Sequence, residues 1–381
     1  MTSLVVQFLA FMNRLIPKDS RRAVFCSFPD VSDNAQALYA YMAAHPENGA
    51  PDRLIWLVED TTISLPSGKA IKKHSLQGLW HFWRAKYVFH THGIFGNIAV
   101  KKQVNVNLWH GMPLKTIMNL DATHDGAPPF EFTYTLATSP LFQKIIGQAF
   151  HCPPQRCLIT GLPRNDLLFN PPPLSVLLPD IPVPDKMVLW MPTYRKSVVG
   201  DIREDGEAPE QGISFLSFSD LERLNSFLMK RHMLLIIKVH PMQDLSPFSG
   251  IHYSHIRVLT RTKGPLYPLV GRADALITDY SSVYIDYMLL DRPIGFVTDD
   301  WEAYRDSRGF VFDDPLSVMP GHFITDYAGL TVFLDNVSTG NDPSCDKRRE
   351  LTRRFHTYTD GNSCERLLRA IGWKRTIYKK G

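Results

Sequence analysis

The 381-residue chain is 44% hydrophobic and carries a formal charge of only +4. That length and apolar content suit two packed α/β cores, and so small a charge excludes a general nucleic-acid coat. Five cysteines without a CxxC pair fit a reduced cytoplasmic protein rather than a disulfide-stapled secreted one.

Residues 5–16 form an apolar stretch, broken by Asn13 and Arg14 and ended by Pro17. It is too short to span a bilayer as a helix and has neither the charged start nor the cleavage pattern of a signal peptide. Two readings stay open, a helix lying in a membrane interface and a helix docked on the core. Residues 23–28 then predict a buried strand, 33–45 a helix, 54–58 a second apolar run, 76–85 a helix, and 87–91 and 104–108 further strands. This alternation is the rhythm of a parallel sheet flanked by helices.

Prolines at 171, 172, 173, 179, 182 and 184 interrupt all periodicity and mark a linker. Beyond it the pattern resumes with strands at 187–191, 234–239, 275–278 and 294–297 and helices at 220–231 and 283–290; 198–214 reads as a loop. The expected organisation is an N-terminal helix over 1–20, an α/β domain over 21–180 and a second over 181–381. Two doubly wound lobes face each other across a cleft in this reading, with ligands at the carboxyl ends of the strands. Lysines and arginines collect near the C-terminus, including Arg348, Arg349, Lys374 and Arg375. They read as a solvated basic surface or as contacts for an anionic membrane.

Three strand exits carry polar residues suited to chemistry. His110 follows the 104–108 run in Trp109-His110-Gly111-Met112-Pro113, and His240 follows the 234–239 run in Lys238-Val239-His240-Pro241. A neutral imidazole accepts a proton near physiological pH, so one histidine suits a base and the other a charge stabiliser. The third exit is Thr278-Asp279-Tyr280-Ser281-Ser282 before a predicted helix, where Ser281 or Ser282 is placed to cap the helix and its N–H groups to hold phosphate. Arginines in Pro192-Thr193-Tyr194-Arg195, Gly161-Leu162-Pro163-Arg164-Asn165-Asp166 and Arg308-Gly309-Phe310 can grip phosphate oxygens through paired hydrogen bonds.

Taken with Asp360-Gly361-Asn362-Ser363, these motifs occur in an order that resembles the CDP-glycerol glycerophosphotransferase family of teichoic acid and capsule polymer synthesis. The resemblance runs from Trp109 to Ser363, and it implies a GT-B architecture, with acceptor groups in the first lobe and a CDP donor in the second. By motif, His110 is the base that activates the acceptor hydroxyl, with Gly111, Pro113, Arg164 and Asn165 around the acceptor. His240 contacts the donor phosphate, and Arg195, Lys238, Thr278, Asp279, Ser281, Ser282 and Arg308 complete the donor set. The implied reaction moves glycerol phosphate from CDP-glycerol to a hydroxyl of a lipid-linked saccharide or a glycerol-phosphate-primed acceptor, with release of CMP. The short chain favours a priming step over processive polymerisation. No metal or other cofactor is expected, nor any nucleic-acid partner. The implied location is cytoplasmic, at the anionic inner face of the bacterial cell membrane. Ribitol-phosphate transfer from CDP-ribitol, a nucleotide-sugar glycosyltransferase or epimerase on the same architecture, and a silent polymer-binding scaffold are the alternatives.

Overall fold

The computed structural model describes residues 3–46, 53–95, 100–121, 131–179, 181, 184–192, 215–239, 252–307 and 309–373. The expected loop over 198–214 lies outside them. Two sheets organise the chain, each wholly parallel.

The first sheet holds β1 (Asp19–Cys26), β2 (Leu54–Val58), β3 (Lys69–Lys72), β4 (Ala85–His90), β5 (Val104–Asn107), β6 (Tyr134–Ala137) and β7 (Cys157–Ile159), in the order β3-β2-β1-β4-β5-β6-β7. Its helices are α1 (Ser3–Leu15), α2 (Asp33–Ala44), α3 (Leu76–Arg84) and α4 (Pro140–Ala149). The second sheet holds β8 (Lys186–Met191), β9 (Met233–Lys238), β10 (Ile256–Leu259), β11 (Ala275–Thr278), β12 (Ile294–Val297) and β13 (His322–Ile324), in the order β10-β9-β8-β11-β12-β13. Helices α5 (Leu174–Leu177), α6 (Phe218–Met229), α7 (Tyr267–Arg272), α8 (Val283–Tyr287), α9 (Trp301–Ser307), α10 (Tyr327–Thr339), α11 (Cys345–Phe355) and α12 (Ser363–Ala370) follow or intervene.

Both orders reverse once, beside β1 and β4 in one sheet and beside β8 and β11 in the other, and such reversal points are where doubly wound sheets bind ligands. Strands covered on both faces must be apolar throughout. All five residues of β2, Leu-Ile-Trp-Leu-Val, are accordingly buried. Phe25, Tyr39, Trp56 and Phe89 pack ring against ring at the centre of the first sheet, with centroids 5.2 to 5.6 Å apart.

The chain divides differently from the sequence expectation. One compact unit comprises Met1–Met112, Met118–Leu167 and His356–Gly381, and the other comprises Pro113–Ile117 and Leu168–Phe355. The division therefore falls after Leu167 rather than near residue 180, and the proline-rich stretch contains α5 and belongs to the second unit. Residues 356–381 return to the first unit, where α12 packs on α2. The anchor is chemical: the Asp166 carboxylate accepts the backbone N–H groups of Ser363 and Cys364, each at 2.8 Å, and so neutralises the start of α12. Arg366 meanwhile donates to the Thr160 carbonyl at 2.6 Å.

Nor is α1 a separate element. Asn13 is fully buried and donates to Gln103 Oε1 at 3.1 Å, while the Lys18 ammonium ties the Asn13 side chain to the Trp83 carbonyl. Phe8, Phe11 and Leu15 stay exposed. Among the described residues no helix is long and apolar enough to cross a membrane.

The C-terminal basic run is likewise corrected in part. Arg348 is not on a solvated surface but fully buried, donating to the carboxylates of Asp291 and Asp342, and Arg349 also binds Asp291. Asp291 sits at φ +49°, a left-handed turn that brings its carboxylate back to both arginines. Lys374 and Arg375 lie outside the described residues. Arg348→Ala removes charge-assisted hydrogen bonds to two partly exposed carboxylates, one of which Arg349 still holds, and is expected to destabilise the protein by about 1–3 kcal/mol, measured by urea unfolding.

Candidate functional site

The site of the first unit is built where β5 ends. After Asn107 the chain must turn sharply, and Trp109 does so at φ +52°, a conformation that side chains rarely adopt, followed by Gly111 at φ +138°. Three bonds hold this strain. The Trp109 N–H donates to Asn107 Oδ1 at 3.2 Å, and the Asn34 amide donates to the carbonyls of Leu108 and Trp109 at 3.3 and 3.1 Å. Asn34 in turn accepts the backbone N–H of Arg164 at 3.1 Å, which binds α2, the His110 turn and the 163–168 turn together.

Arg164 was expected to meet the acceptor. It is instead buried, with Nη1 at 3.0 and 2.9 Å from the two carboxylate oxygens of Asp33. The guanidinium is therefore a fixed positive charge within the wall of the site rather than a free gripping group. Asn165 beside it is buried as well. Gly161 has no room for a side chain, since a Cβ there would lie 2.5 Å from Ser363 Oγ.

His110 is half-buried, and its Nδ1 is enclosed without a hydrogen-bond partner among the described residues. Nε2 is not among the enclosed, unpartnered atoms. Loss of hydration, then the neighbouring His92 and Arg164, push its pKa down to about 3. The imidazole is neutral at physiological pH, as a proton acceptor must be. Its ring lies 3.9 Å from that of Trp109 and 4.9 Å from that of His92, nearly parallel to the latter. His90 is buried and accepts the Gly93 N–H at Nδ1, and burial holds it neutral with a pKa of about 4.

In the second unit the strand exits at the order reversal are joined by Thr278, whose hydroxyl donates to the Met191 carbonyl at 2.9 Å. Thr278 is fully buried, so this hydroxyl orders β8 against β11 rather than pointing at a ligand. Asp279 is also buried. Ser282 does not make the expected cap: it already has helical backbone angles (φ −67°, ψ −3°) and makes no side-chain cap bond, whereas a capping serine sits in the extended region. Ser281 and Ser282 are both half-buried at the entrance to α8. Lys238, at the end of β9, is half-buried and donates to the Val239 carbonyl at 2.8 Å; desolvation lowers its pKa. His240, Arg195 and Arg308 lie outside the described residues.

Pro113, expected near the acceptor, is buried and belongs to the second unit with the four residues after it. There the chain pairs with the arginine-glycine-phenylalanine motif. Thr116 N–H donates to the Gly309 carbonyl at 2.9 Å, Val311 N–H donates to the Leu114 carbonyl at 3.0 Å, and Lys115 bridges Phe310 in antiparallel fashion. A Cβ on Gly309 would lie 2.7 Å from Thr116 Oγ1, so only glycine fits that approach. The Lys115 ammonium stands 5.0 Å over the Tyr304 ring, which stacks on Tyr280 at 4.1 Å.

Sequence reasoning missed Asp33, Asn34 and His92. The last was detectable, because His90-Thr91-His92-Gly93 is another strand exit bearing imidazoles; the other two follow β1 at a helix start that carried no chemical motif. Among the described residues no group of three or more histidine, cysteine or acidic side chains is arranged to hold a metal ion. Asp286 is buried and accepts the Tyr267 hydroxyl.

Comparison with known proteins then assigns the family. Residues 8–372 match the family described as CDP-glycerol:poly(glycerophosphate) glycerophosphotransferase. The chain belongs to this family. It is 25% identical over 376 residues to the teichoic acid glycerol-phosphate transferase of Staphylococcus aureus, covering 89% of each chain. The teichoic acid ribitol-phosphate primase of Bacillus spizizenii is 23% identical, with 93% of this chain and 92% of that protein covered. Among solved structures, a variant of the wall teichoic acid polymerase TagF soaked with CDPG superposes with a TM-score of 0.76 at 22% identity, covering 97% of this chain and 94% of that one. The likeness establishes the two-domain, parallel-sheet α/β fold of GT-B type for this family member.

The strained turn that presents His110 depends on Asn34. Asn34→Ala would leave two carbonyls and one N–H buried without partners, at about 1–3 kcal/mol for each group that water cannot reach. A lowered Tm by calorimetry is expected, together with a change in the His110 ring resonances by NMR.

Proposed function

We propose that this chain transfers glycerol phosphate from CDP-glycerol to a hydroxyl of a lipid-linked saccharide and releases CMP, as a priming step of teichoic acid or capsule polymer synthesis. The observation that carries this reading is the neutral His110 imidazole on the strained exit of β5, within a chain that matches the glycerophosphotransferase family almost end to end. A sealed Nδ1 and an available Nε2 suit a general base that takes one proton from one direction.

The chemistry follows from the donor. The acceptor oxygen attacks the phosphorus that bears glycerol, its proton passes to His110, and the bond to the CMP oxygen breaks. Charge spreads over phosphoryl oxygens, so positioned cations and N–H donors do most of the work and no covalent enzyme intermediate is needed. His240, Arg195, Lys238 and Arg308 supply that positive charge in this reading, with Ser281 and Ser282 presenting hydroxyls at the order reversal of the second sheet. Thr278, its hydroxyl spent on the Met191 carbonyl, orders β8 against β11 at the same sheet edge.

CDP-ribitol is the second donor to consider, because the ribitol-phosphate primase aligns over nearly the whole chain. CMP release with CDP-glycerol, CDP-ribitol and UDP-sugars, each with a lipid-linked acceptor, separates the readings. CMP from CDP-glycerol is expected, CMP from CDP-ribitol alone would reassign the donor, and UDP alone would overturn the proposal. His110→Ala is expected to lower kcat about 10²- to 10⁴-fold, while equilibrium binding of CDP-glycerol is retained.

The proposed place of action is the cytoplasmic face of the membrane. Phe8, Phe11 and Leu15 form an exposed apolar face on a helix otherwise pinned by Asn13, with exposed Arg14 beside it. Such a helix lies in the headgroup region and gains from anionic lipid. Replacing all three apolar residues with serine is expected to weaken co-sedimentation with anionic liposomes while leaving folding intact by circular dichroism. Undiminished sedimentation would remove α1 from the membrane contact.

A further inference from the structure

We propose that His92 is a positioning residue for the acceptor-side base, its ring fixing the plane of the His110 imidazole by parallel stacking. The inference rests on the reading of His110 as the base. His92 lies two residues beyond β4, at the order reversal of the first sheet, where β4 and β5 run side by side in register from Tyr87 and Val104 to His90 and Asn107. That register carries the two strand exits out together. The rings stand 4.9 Å apart with only 9° between their planes.

This geometry distinguishes among possible roles. Imidazole nitrogens donate and accept in the plane of the ring, so two stacked rings cannot pass a proton directly from one to the other. His92 therefore acts on His110 by contact and charge rather than as a relay. Its own ring is held in place, with Nδ1 2.8 Å from the Thr91 hydroxyl and the ring edge-on to Phe28 at 6.0 Å. His110 has Trp109 as its other ring neighbour. His92 is exposed while His110 is half-buried.

The charges around the pair set the direction of its pH response. Desolvation lowers the His92 pKa, Asp33 opposes that shift, and Lys73 adds to it. His92 and Arg164 both oppose protonation of His110, and the nearby His90 is held neutral by burial. With both rings depressed below the ordinary imidazole value, the pair is neutral at pH 7. As pH falls, a proton on exposed His92 places a cation against the face of His110, and the base then resists the acceptor proton. In the transfer step that proton leaves the acceptor hydroxyl as its oxygen bonds to phosphorus and the CMP oxygen departs.

The test compares His92→Ala with His92→Phe, which keeps an aromatic ring but no ring nitrogen, by steady-state kinetics and by NMR titration of the His110 ring. In His92→Ala, kcat is expected to fall roughly 10- to 100-fold through misorientation of the base, with the donor KM unchanged and the His110 titration midpoint moved up towards the ordinary imidazole range. His92→Phe is expected to restore most of kcat, with the midpoint held down by the ring's cover and raised only by the part that the charge of His92 contributed. An unchanged kcat and midpoint in His92→Ala would overturn the proposal. A His92→Phe enzyme as slow as His92→Ala would also overturn it, since a ring nitrogen and not the stacked ring would then be required. If the parent protein released no CMP with any donor, the proposed function would fail, while the NMR titration would still decide whether His92 governs His110.

Discussion

The carboxyl edge of the first sheet depends on one amide side chain. Asn34 spends its two N–H groups on the carbonyls of Leu108 and Trp109 and its oxygen on the Arg164 N–H. A left-handed tryptophan persists only where its surroundings over-determine it, and this amide supplies that determination. From it follow the direction of His110, the placement of the Arg164–Asp33 pair in the wall, and the enclosure of Nδ1. The buried charge of Arg164 helps keep His110 neutral, so the same interaction that shapes the turn also bears on the charge state of that imidazole.

Much of this was legible in the sequence because parallel sheets write themselves as short apolar runs. Residues 54–58 match a strand at both ends, and 23–28, 187–191 and 234–239 each mark one within four residues of its observed ends. The strand-exit rule also located His110 at a genuine turn. Strands such as β6, β7 and β13 escaped because three or four residues carry no readable period, and their pairing is set by neighbours distant in sequence. The domain boundary misled for a different reason. Prolines mark where periodicity stops, and here they stop it inside the second unit, one turn of structure after the chain has already crossed.

Motif residues proved to do two kinds of work. His110 stands on a strained strand exit with its ring half-buried, whereas Thr278, Arg164, Asp166 and Gly309 act on other parts of the protein by holding strands, walls, a helix start and a close backbone approach. A sequence read alone cannot separate these, because a hydroxyl that orders two strands and one that binds phosphate are the same residue in the same place. Burial and partner atoms separate them at once. The residues that most need testing are thus those that keep an accessible polar atom: His110, His92, Lys238, Ser281 and Ser282.

The return of residues 356–381 to the first unit bears on how the protein is made. A ribosome delivers β1 to β7 early, yet the helix that receives the Asp166 carboxylate emerges almost two hundred residues later. Until then the face of α2 that α12 will cover, and the pocket around Gly161 that Ser363 will fill, are open to solvent. Contacts of such long sequence separation are costly to close and form late. The first unit therefore waits on the last segment of the chain, and a truncated or stalled product would leave it unsealed beside its strained turn, with apolar surface available to the aggregation that unfinished domains undergo.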